Sequence, residues 1–453
     1  MRFEQVCPGW LLFVRRVTGV LVLSAMALHA DAADLLEIYR LAQANDPTFA
    51  VAFQGYEAAQ EKSPQALAGN LPTVNLTGNR NFTDAQASFN GSAPARQGVY
   101  AWTWAVQLTQ PIMRPQNILA YYESEAQVES AAAEFAQAEQ DMILRVAQAY
   151  FDALVAQETV VSAEVQLQAM QEQGVVARRG YELGTASITD SDEARSKAEQ
   201  ARAQLIAARN DLETKLTEIE KLTGKPVETL ASLKPAVVIP KPDPFDVSPW
   251  VEQAKDNNPT VRAQFSALRA AGYTVTKAKA ENFWTLDFVG SYGANYSSGS
   301  LAFPTPYETR IKSSVAGIQF TVPIFAGGLN SSHLREAVAN QGKLSAQLEE
   351  ARRKAGADAR QAYAGIVNGV SQAEALQSAV ESGESSVKGN RAGYKLGLRI
   401  NSDVLNAQQQ LFVSKRDLAK AKYDTLLQGL KLKAAAGVLS EVDVQEINGL
   451  FGR

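Results

Sequence analysis

The sequence has few of the residues on which catalysis, metal binding and disulfide bonds depend. Its 453 residues include one cysteine and two histidines. Cys7 lies in the N-terminal segment described below, so the rest of the chain has no thiol and one histidine, His333. A lone histidine on a predicted helix is usually structural, and no P-loop, nucleophile motif or metal-spaced cluster accompanies it. The sequence therefore predicts no enzymatic activity, no cofactor and no metal site.

Strong charge and long apolar runs are absent as well. The formal net charge is -4 and the isoelectric point is near 5.6, which argues against a nucleic-acid partner, because such a partner favours a basic surface. Beyond residue 32, no segment has the roughly 20 apolar residues that a membrane-spanning helix needs. If the chain enters a membrane, we expect it to do so with β-strands.

Residues 1–32 have the pattern of an export signal. Arg2, Arg15 and Arg16 give a positive start, residues 17–28 are apolar, and an A-x-A cleavage motif occupies 30–32. The apolar run is too short for a comfortable membrane anchor. The mature chain is predicted to begin at Ala33. An exported protein of this size without disulfide bonds must be stabilised by packing or by assembly.

The chain contains an internal duplication. The segment AQANDPT at 42–48 recurs as AKDNNPT at 254–260, and QLTQPI at 107–112 recurs as QFTVPI at 319–324, both 212 residues further on. GYELG at 180–184 recurs as GYKLG at 393–397. Separate blocks that keep nearly one offset indicate tandem repeats. The predicted segments are the signal at 1–32, a first repeat at 33–230, a proline-rich linker at 231–247, a second repeat at 248–440 and a C-terminal tail at 441–453.

Each repeat shows the same order of elements. The predicted order is a short helix (34–45 and 248–257), a medium helix (47–69 and 259–281), two strands, a very long helix (115–172 and 328–383) and a last helix (188–223 and 401–436). An Asn or Asp followed by proline begins each medium helix, as is typical of a capped start. From the residue counts, we expect the medium and last helices to stack end to end beside the long one.

The long helices follow a heptad rule. Apolar residues alternate at spacings of four and three, which predicts a coiled-coil seam rich in alanine. At a rise of 1.5 Å per residue, a helix of roughly 58 residues is about 87 Å long, which suits a projecting tube better than a globular domain. The seam residues are Met142, Val146, Ala149, Ala153, Ala156, Val160, Ala163, Leu167 and Met170, followed by Ala194, Ala198, Ala201, Leu205, Ala208 and Leu212.

Four segments alternate aromatic or apolar residues with polar ones, at about 73–83, 99–110, 284–296 and 311–323. Apolar residues outside and polar residues inside over about ten residues are typical of outer-membrane barrels. A soluble sandwich would also alternate, but it would not place so many aromatic residues on one face of so few strands. The connections 84–98 and 297–307 are predicted to be extracellular loops. Pro111 and Pro323 are predicted to end the two strand pairs.

Four strands are too few to close a barrel, since about eight is the smallest number found. An open edge in lipid leaves unsatisfied backbone groups, each of which costs several kcal/mol. Closure therefore requires several chains. Three chains give twelve strands and leave a central hole, although strand number alone also permits two chains.

Strand pairs that lead into long coiled-coil helices, twice in one chain, resemble the TolC family. The second turn, GYKLGLRINSDVL at 393–405, is similar to that family's signature between the paired helices. The resemblance covers nearly the whole chain after the signal. It implies an α+β membrane channel, in which four strands per chain complete a twelve-stranded barrel of three copies and the long helices form a periplasmic α-barrel.

The resemblance also implies a gate at the tip of the helices. Tyr394 and Arg399 match residues that bond to an aspartate of the first-repeat turn, here Asp190 after Thr189, and hold the tip shut. An arginine–carboxylate pair is directional and can serve as a latch. The alternative for Asp190 is an ordinary role at the start of a helix.

Asp403 matches the first of two aspartates that ring the constriction in this family. The second position is Asn406, which departs from the pattern, so a trimer would keep one ring of three carboxylates. Such a ring favours cations. The alternative for Asp403 is an N-cap. The turns match the place where adaptors dock, or else they serve only turn packing; their residues are Gly180, Leu183, Gly184, Gly393, Leu396 and Gly397.

The function that the resemblance implies is a trimeric duct through the outer membrane, used for efflux or type I secretion. Its expected partners are outer-membrane lipid, a periplasmic adaptor and an inner-membrane pump of the ABC or RND type. The alternative is a periplasmic coiled-coil scaffold or adaptor, which would explain the helices but would leave the aromatic-faced strands without a purpose.

Overall fold

The computed structural model describes residues 32–88, 91, 93–227, 229–234, 237, 239–301 and 307–452. Nearly all of the export signal predicted at 1–32 lies outside them. The described part forms four strands and ten helices. In chain order they are α1 (Leu35–Asn45), α2 (Pro47–Gln60), α3 (Lys62–Ala68), β1 (Thr73–Ala87), β2 (Ala95–Met113), α4 (Pro115–Glu182), α5 (Ile188–Thr223), α6 (Val247–Asn257), α7 (Pro259–Ala280), β3 (Thr285–Ser297), β4 (Thr309–Thr321), α8 (Leu329–Lys395), α9 (Asn401–Ala435) and α10 (Glu441–Asn448).

The starts of α2 and α7 are capped as the sequence predicts. The Asp46 carboxylate accepts a hydrogen bond from the Thr48 backbone N–H at 3.0 Å, and the Asn258 side chain accepts one from Thr260 at the same distance. A proline occupies the first helical position in both cases. The medium helix of the first repeat differs from the prediction, because it is interrupted at Glu61 and continues as the short α3.

The two long helices extend further than the sequence predicts. α4 has 68 residues and ends at Glu182 rather than at 172, and α8 has 67 residues and ends at Lys395 rather than at 383. Each is therefore about 100 Å long. α2, α3 and α5 pack along α4, while α7 and α9 pack along α8 and also against α4, so the medium and last helices lie beside the long ones as predicted. Over the described residues, no helix is long and apolar enough to cross a membrane.

The predicted seam lies where α4 packs against α5. Met142, Val146 and Ala153 are almost completely buried, and the remaining seam residues are buried or half-buried. Near the far end, Met170 packs with Ala194 and Ala201 in one apolar cluster. Alanine at these positions lets two backbones approach closely, so the seam is held by many small contacts rather than by a few large side chains.

The four strands form one antiparallel sheet in the order β1-β2-β3-β4. β1 and β2 are longer than predicted, so residues 84–87 and 95–98 belong to strands rather than to the connection between them. Pro111 does not end its strand. It lies inside β2 beside a register shift between Pro111 and Met113, where its missing N–H does not interrupt a regular ladder.

The ladder places the even-numbered residues of all four strands on one face. Leu76, Val106 and Tyr292 are cross-strand neighbours on β1, β2 and β3, and Phe288 pairs with Ile318 on β3 and β4. The opposite face is mostly Asn, Thr, Ser, Gln and Ala, as predicted. β1 and β4 are the two edges of the sheet, and each presents an unpaired row of backbone groups.

A compact core surrounds the middle of α4, where both repeats, the linker and the tail meet. The Tyr150 hydroxyl donates a hydrogen bond to the Ala231 carbonyl at 2.8 Å, and the Tyr150 ring packs edge-on against Phe451 with centroids 5.4 Å apart. Leu233 of the linker forms an isolated bridge with Phe451. Residues 441–448 of the predicted tail therefore form α10, and Phe451 beyond it packs into this core. Pro235 of the linker lies outside the described residues.

Candidate functional site

The two helical hairpins end in matching turns at one tip of the molecule. A leucine directly follows the last residue of each long helix: Leu183 follows α4 and Leu396 follows α8. The next residue in each turn is a glycine with left-handed backbone. Gly184 has φ 74° and Gly397 has φ 72°, a conformation that other residues adopt only with strain. Leu183 and Leu396 are 79% and 74% exposed, so each turn presents an apolar side chain to its surroundings.

The first glycine of each repeated block is not part of the turn, which corrects the prediction. Gly180 and Gly393 lie inside α4 and α8. A Cβ at Gly393 would lie 2.8 Å from Cγ of Arg399, and one at Gly180 would lie 3.0 Å from the Ala186 Cβ. These glycines are needed because the chain folds back across the helix end at close range, rather than because the backbone turns there.

Asp190 has the helix-start role that was the alternative to a latch. Its carboxylate accepts a hydrogen bond from the Ser187 backbone N–H at 3.0 Å, and the Ser187 hydroxyl accepts one from the Thr189 N–H at 3.3 Å. This reciprocal arrangement is a capping box at the start of α5. The carboxylate of Asp190 is thereby fixed in position at the tip.

Tyr394 lies close to Asp190, as the resemblance implies. Burial raises the pKa of the Tyr394 hydroxyl above its ordinary value, and the negative charge of Asp190 raises it further. The hydroxyl therefore stays protonated at neutral pH and remains a hydrogen-bond donor that faces a carboxylate. Two of the predicted latch residues, one from each repeat, therefore line the same cleft.

In the single chain, Arg399 lies just before α9 and pairs with a residue in the first turn of that helix. Its guanidinium lies 3.6 Å from the Asp403 carboxylate, and both side chains are partly exposed. Asp403 is not an N-cap, which corrects that alternative: Ile400 is the N-cap of α9, and Asp403 is the third residue of the helix. Asn406 follows three residues later and is exposed, so it lies next to Asp403 along the helix surface.

The chain matches the family described as outer membrane efflux protein over residues 38–225 and 250–438, once for each repeat. It belongs to this family. The alkaline protease secretion protein AprF of Pseudomonas aeruginosa is 30% identical over 427 residues, which cover 93% of this chain and 88% of that protein. The outer membrane protein TolC of Escherichia coli is 28% identical over 442 residues, which cover 96% of this chain and 88% of TolC.

The fold agrees with solved channels of this kind. The outer membrane channel CmeC of Campylobacter jejuni matches with a TM-score of 0.76 and 17% identity, over 93% of this chain and 89% of that chain. The protein is thus an outer-membrane channel of the TolC type. Three copies complete a twelve-stranded barrel, the helices extend into the periplasm, and the channel works with a periplasmic adaptor and an inner-membrane pump.

The sequence did not reveal one contact at the tip of this channel. Gln173 of α4 donates a hydrogen bond to the Asn401 side chain at the start of α9, with 2.5 Å between Nε2 and Oδ1, and both residues are buried. The Asn401 side chain in turn donates to the Asp190 carbonyl at 3.4 Å. Three elements meet at this point. Gln173 lies one residue before Gly174, the next position of the four-and-three spacing after Met170, so the heptad rule did not point to it.

Proposed function

We propose that this channel is the outer-membrane exit duct of a type I protein secretion system, recruited by an ABC-type pump and its adaptor, and that it catalyses no reaction itself. The observation that carries the proposal is the likeness to AprF, which is named for the secretion of alkaline protease and which matches the chain over nearly its whole length. The likeness therefore includes the helical tip, which is the part of the channel that faces the pump.

Efflux of small molecules through an RND-type pump is the second candidate, and the description of the family favours it. The chemistry of the duct does not distinguish protein secretion from efflux, because the pump selects the cargo. The exposed leucines of the tip offer the means to test both, since they are the proposed contacts with the adaptor.

We expect Leu183→Asp and Leu396→Asp to weaken adaptor docking by about tenfold each, because a charge would have to be buried in an apolar contact. The measurement is secretion of a protease by cells in which this channel replaces their own, together with crosslinking of the channel to the adaptor. Leu301→Asp, at the opposite end of the molecule, is the matched control. Drug resistance restored without any protease secretion would favour efflux instead. Normal crosslinking of both variants would contradict the docking role.

The second part of the proposal is that Asp190, Thr189, Tyr394 and Arg399 form a latch that keeps the tip closed at rest. Its support is the fixed position of the Asp190 carboxylate opposite a protonated Tyr394. The partial exposure of the Arg399–Asp403 pair adds to it, because a 3.6 Å contact with Asp403 leaves most guanidinium donors available to a neighbouring subunit. Charge-assisted bonds of this kind are directional and reversible.

We expect Arg399→Ser to increase the conductance of single channels in a planar bilayer by several-fold, because the closed tip loses its charge-assisted bonds while the helices stay intact. Arg391→Ser is the control, since Arg391 lines the same cleft and carries the same charge. Equal conductance in the wild type and Arg399→Ser would count against the latch. An equal increase in both variants would show that lost charge in the cleft, rather than a specific bond, controls the current.

A further inference from the structure

The charged residues of the sheet are distributed very unevenly between its two faces. The polar face of the described strands carries a single charged residue, Asp287, which is paired with Arg114. The remaining charges all occupy even-numbered positions, on the same face as the aromatic residues that contact lipid. They are Arg80, Asp84, Arg96, Arg310 and Lys312.

These charges also lie toward one end of the sheet. Arg310 and Lys312 are the second and fourth residues of β4, and Arg80 lies beyond the apolar Val74 and Leu76 of β1. All of them are on the side of the connections 88–94 and 298–308. The long helices leave from the other end of the strands and extend into the periplasm. The charged end of the lipid-facing surface therefore lies at the outer leaflet of the membrane.

The ladder combines the cations with aromatic rings. Arg80 pairs with Trp102, Trp102 with Tyr296, and Tyr296 with Arg310, so one row across the sheet reads cation, aromatic, aromatic, cation. The guanidinium of Arg310 lies 5.8 Å from the centre of the Tyr296 ring. Aromatic girdles of this type mark the level of the lipid headgroups in barrels.

The two acidic groups at this end, Asp84 and Glu308, do not neutralise three of the four cations there. Asp84 is held by Arg96, whose Nε lies 2.9 and 2.8 Å from its two carboxylate oxygens. Glu308 is engaged by the Tyr296 hydroxyl. Within the described residues, Arg80, Arg310 and Lys312 are in no ion pair, and all three side chains are exposed. Cations at positions that face lipid are unfavourable unless they reach an anionic layer.

We propose that Arg80, Arg310 and Lys312 bind the phosphate groups of phosphorylated lipids in the outer leaflet. Arginine presents a fork of donors that matches phosphate, and lysine adds a point charge. The seams of the trimer strengthen the site. β1 and β4 are the edges of the sheet, so closure of the barrel brings the strand with one of these cations beside a strand that carries the other two. A bridging phosphate offsets the repulsion among three positive charges at each seam.

Binding of lipid A to the purified trimer, measured by native mass spectrometry in detergent, tests this inference. The probe is lipid A with both phosphates, and it is compared with lipid A from which the phosphates have been removed. We expect the wild type to bind the phosphorylated form at least about tenfold more tightly. The triple variant Arg80→Gln, Arg310→Gln, Lys312→Gln is expected to lose that preference. Lys279→Gln, with an exposed lysine near the periplasmic end of the barrel, is expected to keep it.

Equal binding of the two lipid A forms by the wild type would overturn the proposal, and so would a preference that survives in the triple variant. Loss of the preference in Lys279→Gln would assign it to overall charge rather than to these three residues, and would overturn it as well. If the triple variant does not assemble, Lys312→Gln alone is expected to reduce the preference by several-fold, because this side chain is exposed and strand pairing uses only the backbone. The test does not depend on which cargo the channel exports.

Discussion

Replacement of Arg114 by glutamine is expected to lower the free energy of unfolding by about 3 kcal/mol, the lower end of the range for a buried charge that has lost its partner. Arg114 is the residue between β2 and α4. Its Nε and one terminal nitrogen donate to the two oxygens of Asp287, at 2.7 and 2.6 Å. The Asp287 side chain is only 5% exposed, whereas that of Arg114 is 39% exposed. In the variant, the carboxylate would stay buried with no cation to compensate it.

The chain contains a matched control for this prediction. Arg96 makes the same two-pronged contact with Asp84, but these side chains are 76% and 31% exposed. Arg96→Gln is therefore expected to cost much less than Arg114→Gln, because an ion pair exposed to solvent contributes little to stability. Unfolding of the detergent-solubilised trimers in guanidinium chloride measures both changes in the free energy of unfolding. Equal losses for the two variants would show that burial of Asp287 does not govern stability. Part of the loss is expected to return when Arg114→Gln is combined with Asp287→Asn, because both charges are then removed.

This ion pair also shows where the duplication stops being informative. At the offset of 212, Arg114 corresponds to Ala326 and Asp287 corresponds to Asn75, so neither member of the pair has an equivalent in the other repeat. The repeats predict the order of elements, the caps at Asp46 and Asn258, and the strand pairs. A contact that joins the first repeat to the second depends on how the repeats pack, which periodicity does not contain.

The second long helix continues past Gly383, the residue at which the sequence-based prediction ends it. Gly383 lies inside α8, where a Cβ would meet the Leu411 Cδ1 at 3.2 Å, and Gly393 faces Arg399 in the same way. Glycine within a helix costs roughly 1 kcal/mol relative to alanine. Close packing against the returning helix offsets that cost, and a sequence without its partner helix does not show it.

At the tip, the structure brings some of the predicted latch residues together and pairs another one elsewhere. The repeated turn places Asp190 and Tyr394 in one cleft, as the resemblance implies, although the arginine of the predicted latch pairs with Asp403 in the single chain. The buried pair of Gln173 and Asn401 was missed, since neither residue belongs to the repeated block. The latch and the ring themselves stay predictions that conductance can test.

Asn406→Asp is expected to make the channel about tenfold more sensitive to block by a multivalent cation, and Asp403→Ala is expected to make it correspondingly less sensitive. Asn406 is exposed and lies three residues after Asp403 on α9, so a carboxylate there would add a second ring of three negative charges close to the first. At an effective dielectric constant of about 20, two unit charges about 8 Å apart interact by about 2 kcal/mol, which is more than the 1.4 kcal/mol of a tenfold change.

The half-blocking concentration of a trivalent cation in planar bilayers distinguishes a ring from a general charge effect. Asn210→Asp, on the exposed surface of α5, adds the same three charges to the trimer at a site on the other hairpin, and we expect it to leave the block unchanged. If Asn406→Asp and Asn210→Asp changed the block equally, overall charge would explain it and α9 would not line the constriction. Because cation affinity in a ring follows from the number of converging carboxylates, one predicted ring at Asp403 implies a weaker block than two rings would give.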